Sequence, residues 1–182
     1  MFKENRILAV VPARGGSKGI PLKNLRVLGG SSLVARVGQV LAHLPQIDRS
    51  VVSTDHEEIA KAAETVGLAA PFRRPESLAG DRIGDLDVLT HALRTVEEVD
   101  GCTYEIVLML QPTSPFRKPE QVSGCIRMLV EGGWDAVWTV SLTDAKSHPL
   151  KQLTIGKQCA MELYDAAGAR IIVRQQLDPV YH

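Results

Sequence analysis

Short apolar runs alternate with amphipathic helical patterns from Ile7 to Val140, and this alternation restricts the fold more than any other feature of the chain. Ile7 to Val11 and Ile106 to Leu110 are wholly apolar, the pattern of strands buried on both faces. Ser50 to Ser53 and Ala136 to Val140 read as two further strands, and Ala69 to Arg74 as a brief extended segment. Between them lie four helical patterns. Ser31 or Ser32 caps a helix with the apolar face Leu33, Val37, Val40, Leu41 and Leu44. Asp55, with Glu58 three residues on, is expected to cap a second helix buried through Ile59, Ala62, Ala63 and Val66. A third carries Leu86, Leu89, Leu93 and Val96 on one side. Pro119 opens a fourth, with Val122, Ile126, Leu129 and Val130 inward and Gly132-Gly133 as its stop. The predicted class is α/β, a Rossmann-like, doubly wound, mostly parallel sheet with helices on both faces. Ligands of such sheets sit beyond the carboxyl ends of the strands.

Past Ser141 the pattern changes. Residues 152–173 alternate loosely, include Gly156 and Gly168, and read as an extended or hairpin excursion. The 182 residues are read as a single domain, with an α/β core over 1–141 and an arm over 142–182. A net charge of +0 and a pI near 7.0 argue against general nucleic-acid binding. No stretch approaches a membrane span. Cys102, Cys125 and Cys159 are odd in number and far apart, which favours reduced thiols and a cytoplasmic location over disulfide or metal use. His43, His56 and His91 fall on helical segments and read as packed or solvated.

The first apolar run feeds a glycine-rich loop, Pro12-Ala13-Arg14-Gly15-Gly16-Ser17-Lys18-Gly19-Ile20-Pro21-Leu22-Lys23-Asn24. Between Asn5 and Ile47 there is no Asp or Glu, but six basic residues: Arg6, Arg14, Lys18, Lys23, Arg26 and Arg36. In a chain of balanced charge that local excess calls for an anion, and a polyphosphate fits best. The spacing excludes a Walker A loop, because Lys18 precedes Gly19 and Ile20-Pro21 follows. It also misses the G-x-G-x-x-G dinucleotide fingerprint, and Pro21 favours an extended exit over an immediate helix. Arg14, Lys18 and Lys23 supply fixed positive charge, and the N–H groups of Gly15, Gly16 and Ser17 are candidates for an anion nest.

The loop resembles the opening motif of the acylneuraminate cytidylyltransferases. Further resemblances follow in order: Val52-Ser53-Thr54-Asp55, Phe72-Arg73-Arg74-Pro75-Glu76-Ser77-Leu78-Ala79-Gly80-Asp81, Leu110-Gln111-Pro112-Thr113-Ser114-Pro115-Phe116-Arg117, His148-Pro149-Leu150-Lys151 and Arg174-Gln175-Gln176-Leu177. Several collinear motifs are far more specific than one. The resemblance implies a cytidylyltransferase that joins CTP to a nine-carbon, sialic-acid-like sugar acid, releasing pyrophosphate with Mg²⁺ as cofactor. It implies Arg14, Lys23 and Lys18 as catalytic cations. It places Gly15, Gly16, Ser17, Asn24 and Arg74 at the nucleotide, and Gln111, Lys151 and Arg174 at the acid. It further implies that the arm dimerises, with Lys151 and Arg174 serving the neighbouring subunit's site.

The chain departs from the family pattern in three places. After Asp81 the family continues Thr-x-x-Ser, where this chain has Arg82-Ile83-Gly84-Asp85-Leu86-Asp87. Asp85 is a candidate acceptor for the cytosine amino group, or a sign of a different base. His182 stands where the family tends to have Arg. Family members continue into an Asn-Gly-Ala-Ile-Tyr strand and an Asp-x-Asp pair that holds magnesium. Neither is present here, which leaves Asp85, Asp87 or a second polypeptide to complete the metal site. The alternatives are a non-catalytic relative that binds nucleotide or dimerises, and a nucleotidyltransferase with another base or acid.

Overall fold

Ile7, Leu8, Ala9, Val10 and Val11 are all fully buried in the computed structural model, which describes residues 1–182. They can be buried on both faces because their strand is central. In chain order, β1 (Ile7–Pro12) leads through a loop to the hairpin of β2 (Val27–Leu28) and β3 (Ser31–Ser32). Then come α1 (Leu33–Leu41), β4 (Arg49–Ser53), α2 (Glu57–Glu64), α3 (Asp85–Asp100), β5 (Ile106–Met109) and α4 (Pro119–Gly132). The main sheet is parallel with the order β4-β1-β5, β1 meeting β4 from Leu8↔Arg49 to Pro12↔Ser53 and β5 from Ile7↔Ile106 to Val10↔Met109.

Successive β1 side chains enter opposite cores, as the two-residue strand period requires. Ile7, Ala9 and Val11 pack with α1, α2 and α4 through Val34, Val37, Ile59, Ala63, Val122 and Ile126. Leu8 and Val10 pack with Val51 and, from α3, Ala92 and Val96. Full burial of each large aliphatic residue contributes roughly 1.5–3 kcal/mol, so β1 anchors both layers. The doubly wound parallel architecture expected from sequence is therefore present, reduced to three strands.

Local signals explain most boundaries. The Ser32 hydroxyl accepts the Ala35 N–H and starts α1. Pro119 occupies the first turn of α4, and Gly133, at φ 64°, ends it in the left-handed region that glycine tolerates. Gly38 lets α1 approach the chain after α2: a Cβ there would stand 2.4 Å from Val66 Cγ2 and 2.9 Å from the Val66 carbonyl oxygen.

Four expectations need correction. Ala136 to Val140 forms no strand, and Trp138 is 83% exposed. On α3 the buried stripe is Val88, Ala92 and Val96, with Leu89 and Leu93 only partly covered and Leu86 77% exposed. The exit from the cationic loop is a 3₁₀ turn over Lys23–Leu25, entered through Leu22 at φ 47°. Asp55 caps no helix: α2 begins after His56 without a side-chain cap. The β2–β3 hairpin adds to the expected elements and turns on Gly29-Gly30, at φ 58° and 84°, a strong two-residue turn signal.

The molecule divides into two compact units, Met1–Trp134 and Asp135–His182. The second unit contains the expected hairpin, β6 (Leu153–Ile155) against β7 (Met161–Leu163) in antiparallel register, with 3₁₀ turns around it. Leu153, Ile155, Met161 and Ile172 are exposed on it. His148 and Gly168 are its buried points. His148 Nδ1 accepts the Leu150 N–H, which assigns the proton to Nε2 and lets it donate to the Asp178 carbonyl at 3.2 Å. No helix is long and apolar enough to cross a membrane.

Candidate functional site

The three parallel strands set the position of the site. β1 connects through α1 to β4 on one side, and the chain then crosses to β5 on the other, so β1 and β5 diverge in connection at their carboxyl ends. This is a topological switch point, where open α/β sheets bind ligands. A cleft of about 780 Å³ opens there. It brings together Arg14, Ser17, Lys18, Lys23 and Asn24 from the loop after β1, Arg74 and Asp81 from the segment before α3, Asp85 from the first turn of α3, and Gln111 after β5.

The loop is held from beneath by the exit of β4. The Asp55 carboxylate accepts the Gly15 N–H at 2.8 Å. The His56 ring lies against Gly15 so closely that a Cβ there would be 2.9 Å from His56 Cδ2. Ala13 N–H donates to the Ser53 carbonyl, extending the β1–β4 pairing into the loop. The Asn24 amide, buried, donates to the Arg14 carbonyl at 3.0 Å. These bonds also qualify the idea of a backbone nest. Gly15 N–H is engaged by Asp55 and Ser17 N–H by the Gly15 carbonyl, so Gly16 alone of the three has an unused N–H.

The cations differ in their environment. Arg14 donates from Nη1 to the Ala79 carbonyl at 3.2 Å and from Nη2 to Asp81 Oδ1 at 2.8 Å. Lys18 pairs with Asp81 Oδ2, so one carboxylate spans two of the cations. Lys18 above all holds the Asp81 carboxyl below its ordinary value, with desolvation opposing it and Arg14 adding to the lowering. Lys23 lines the cleft without an ion pair.

Arg74 is buried, donating from Nε to Ser53 Oγ at 3.0 Å and from Nη2 to the Ser53 carbonyl. Burial lowers its pKa, with Asp55 and Asp85 opposing that and Arg14 adding to it. Across the cleft, Gln111 Nε2 donates to Asp85 Oδ2 at 3.2 Å, while Arg117 Nη2 donates to the Gln111 carbonyl at 3.2 Å. Lys151 and Arg174 belong to the second unit, where both are exposed on separate 3₁₀ turns.

The residues present do not assemble a magnesium centre. Two carboxylates, Asp81 and Asp85, line the cleft, and both are already engaged by protein side chains. Asp81 is committed to Arg14 and Lys18, and Asp85 to Gln111. Asp87, the other candidate, lines a different cavity with His91 and Arg94, so it does not join Asp85. Magnesium coordination asks for one or two carboxylates together with substrate phosphates and water.

Sequence reasoning missed the importance of Asp81, Asp55, Ser53 and Arg117. The signal for Asp81 was available: a loop without carboxylates must find its counter-charge elsewhere in the chain.

A parallel sheet with a cation-lined cleft at its switch point defines an α/β protein with a site suited to an anionic ligand. The chain belongs to the cytidylyltransferase family, whose profile matches residues 8–176. It is 40% identical over 123 residues to the CMP-N,N'-diacetyllegionaminic acid synthase of Legionella pneumophila, a match covering 68% of this chain and 53% of that protein. It is 34% identical over 162 residues to N-acylneuraminate cytidylyltransferase A of Danio rerio, covering 88% of this chain and 35% of that one. The chain thus spans about half or less of the length of these relatives. Among solved structures, a CMP:2-keto-3-deoxy-manno-octonic acid synthetase complexed with CTP superposes with a TM-score of 0.65 at 18% identity, covering 97% of this chain and 70% of that one. A 4-diphosphocytidyl-2C-methyl-D-erythritol synthase from Anaerococcus prevotii gives 0.54 at 15% identity, covering 98% and 66%. These two likenesses establish the shared fold.

Proposed function

We propose that the chain carries out cytidylyl transfer from CTP to a sialic-acid-like sugar acid, giving the CMP-sugar acid and pyrophosphate. The observation that carries this reading is the convergence of Arg14, Lys18 and Lys23 on one cleft opposite Gln111. In the reaction a hydroxyl oxygen of the acid bonds to the α-phosphorus, the bond to the β-phosphate oxygen breaks, and the hydroxyl proton passes to solvent. The protein's part is to align the reactants and offset phosphate charge. Arg14 and Lys23 hold the triphosphate as charge shifts to the leaving group, and Lys18 follows the pyrophosphate. The backbone of Gly15, Gly16 and Ser17 shapes the cradle through the one unused N–H of Gly16.

Asn24 and Arg74 border the nucleoside, Asn24 fixed by its bond to the Arg14 carbonyl in the loop and Arg74 by its bonds to Ser53 at the end of β4. Asp85 serves the base as an acceptor for an exocyclic amino group, and Gln111 serves the acid. Lys151 and Arg174 reach the acid's carboxylate from a homodimer partner's arm, a reading that rests on family resemblance and on their exposure. Magnesium would have to be supplied bound to the triphosphate, adding positive charge there, because the carboxylates lining the cleft are engaged by protein side chains. A cytoplasmic setting fits the free thiols of Cys102, Cys125 and Cys159.

The deciding experiment measures pyrophosphate release with CTP, Mg²⁺ and a panel of sugar acids: N-acetylneuraminic, legionaminic and octulosonic. The 182-residue chain and its Arg14→Ala variant are compared. Release that falls about 10²–10³-fold in Arg14→Ala supports the reading, by analogy with loss of one oxyanion donor. A folded chain that binds CTP and releases nothing with any acid would be a nucleotide-binding relative instead.

A further inference from the structure

We propose that Asp81 is a built-in occupant of the phosphate subsite, seated on Arg14 and Lys18 until a triphosphate displaces it. The inference rests on the reading of the cleft as a triphosphate site. Each carboxylate oxygen meets a different cation, Oδ1 on Arg14 Nη2 at 2.8 Å and Oδ2 on Lys18. Two non-bridging oxygens of a phosphate would approach the same two groups in the same way. The same short segment also supplies the Ala79 carbonyl to Arg14 Nη1, so residues 79–81 hold the guanidinium at two points. Lys23 is left without an ion pair and stays open to a first encounter with an anion.

The contact is suited to exchange. Asp81 is 38% exposed and Lys18 82% exposed, so water can replace either partner. Exposed ion pairs of this kind are weak and break at little cost. Asp81 lies one residue after Gly80 and three before Gly84. Neither glycine is required by crowding, since a Cβ at Gly80 would come no closer than 3.6 Å to Ile83 and one at Gly84 no closer than 3.9 Å to Asp87. Neither has a positive φ. Glycine at either position is thus not dictated by sterics, and its smaller backbone restriction leaves the carboxylate's segment fewer conformational limits than another residue would. A triphosphate and Asp81 cannot share Arg14 and Lys18 without bringing like charges together, so one must leave. Asp81 thereby sets the nucleotide affinity and keeps Arg14 aligned before the nucleotide arrives.

The test is calorimetric titration of inorganic tripolyphosphate, and separately of CTP, into the full chain, Asp81→Asn, Asp81→Glu and Glu131→Gln. Glu131 pairs with Lys3 away from the cleft, so its variant removes the same charge without touching the subsite. The expected result is five- to tenfold tighter binding of both ligands by Asp81→Asn, with Asp81→Glu and Glu131→Gln within twofold of the parent. Unchanged or weaker tripolyphosphate binding by Asp81→Asn overturns the proposal while leaving the triphosphate site intact. A gain seen with CTP alone also overturns it, because Asp81 would then oppose the nucleoside. Failure of every variant to bind either ligand removes the triphosphate site itself, and this proposal with it.

Discussion

The Asp55 carboxylate accepts the Gly15 N–H at 2.8 Å, so the chain just past β4 holds the loop that leaves β1. A hydrogen bond to a charged group is worth about 1.5–3 kcal/mol when well covered, and this one is exposed. Asp55→Ala is therefore expected to cost about 1 kcal/mol, read as roughly fivefold weaker CTP binding by calorimetry. Asp55→Asn, which keeps an acceptor oxygen, should recover part of that. Unaltered affinity in Asp55→Ala would show that the loop supports itself.

Gly15 is required by its neighbour. A Cβ there would meet His56 Cδ2 at 2.9 Å and His56 Cβ at 3.0 Å, so rotating the ring does not clear the space. Gly15→Ala should lower stability by about 1–3 kcal/mol, the range for overpacking. In a His56→Gly background the same substitution should cost less, and a double-mutant cycle in urea measures the difference. Additive effects would mean that the clash is relieved by loop movement alone.

Gly38→Ala tests the packing of α1. Ala is favoured over Gly in a helix by about 0.5–1 kcal/mol. Opposing that, the new methyl would stand 2.9 Å from the Val66 carbonyl oxygen, which a side-chain rotation cannot move. The clash should win, giving a net loss of about 1–2 kcal/mol in denaturant unfolding. A stabilised Gly38→Ala protein would contradict the close approach.

Glu105 supplies a pH dependence. Its carboxylate accepts the Arg6 N–H at 2.6 Å, and that bond above all holds its carboxyl below the ordinary 4.5. The folded value lies below the unfolded one, so the contribution is fully present above about pH 4.5 and is lost as pH falls through the folded value. Glu105→Gln should therefore melt below the parent at neutral pH, with the gap closing in acid. Thermal melts from pH 7 to pH 3 would show it, and a gap that widened in acid would refute the assignment.

Patterns that act within one segment were readable in advance. The Ser32 cap, the Pro119 start and Gly133 stop of α4, and the apolar runs of β1 and β5 all depend on neighbours a few residues away. What escaped depends on distant partners. Asp55 and Glu58 have the spacing of a capping pair, but the Gly15 N–H captured the carboxylate. Ala136 to Val140 has strand composition, yet a strand exists only where another backbone pairs with it. The cationic loop was legible as a site because its charge excess is local. The burial of Arg74 on Ser53 and the bond from Gln111 to Asp85 were not, since both are made by segments far apart in sequence.

The strand that carries the cationic loop is fully buried from Ile7 to Val11 and bonded on both edges. Amides in such a position exchange with solvent deuterium only when most of the fold opens, whereas exposed hairpins exchange through small local fluctuations. Deuterium uptake should accordingly be slowest along β1 and fast in β6 and β7, whose residues are exposed throughout. On that expectation the loop hangs from the slowest-opening strand, and moderate heat or denaturant should loosen the hairpin before it shifts Arg14.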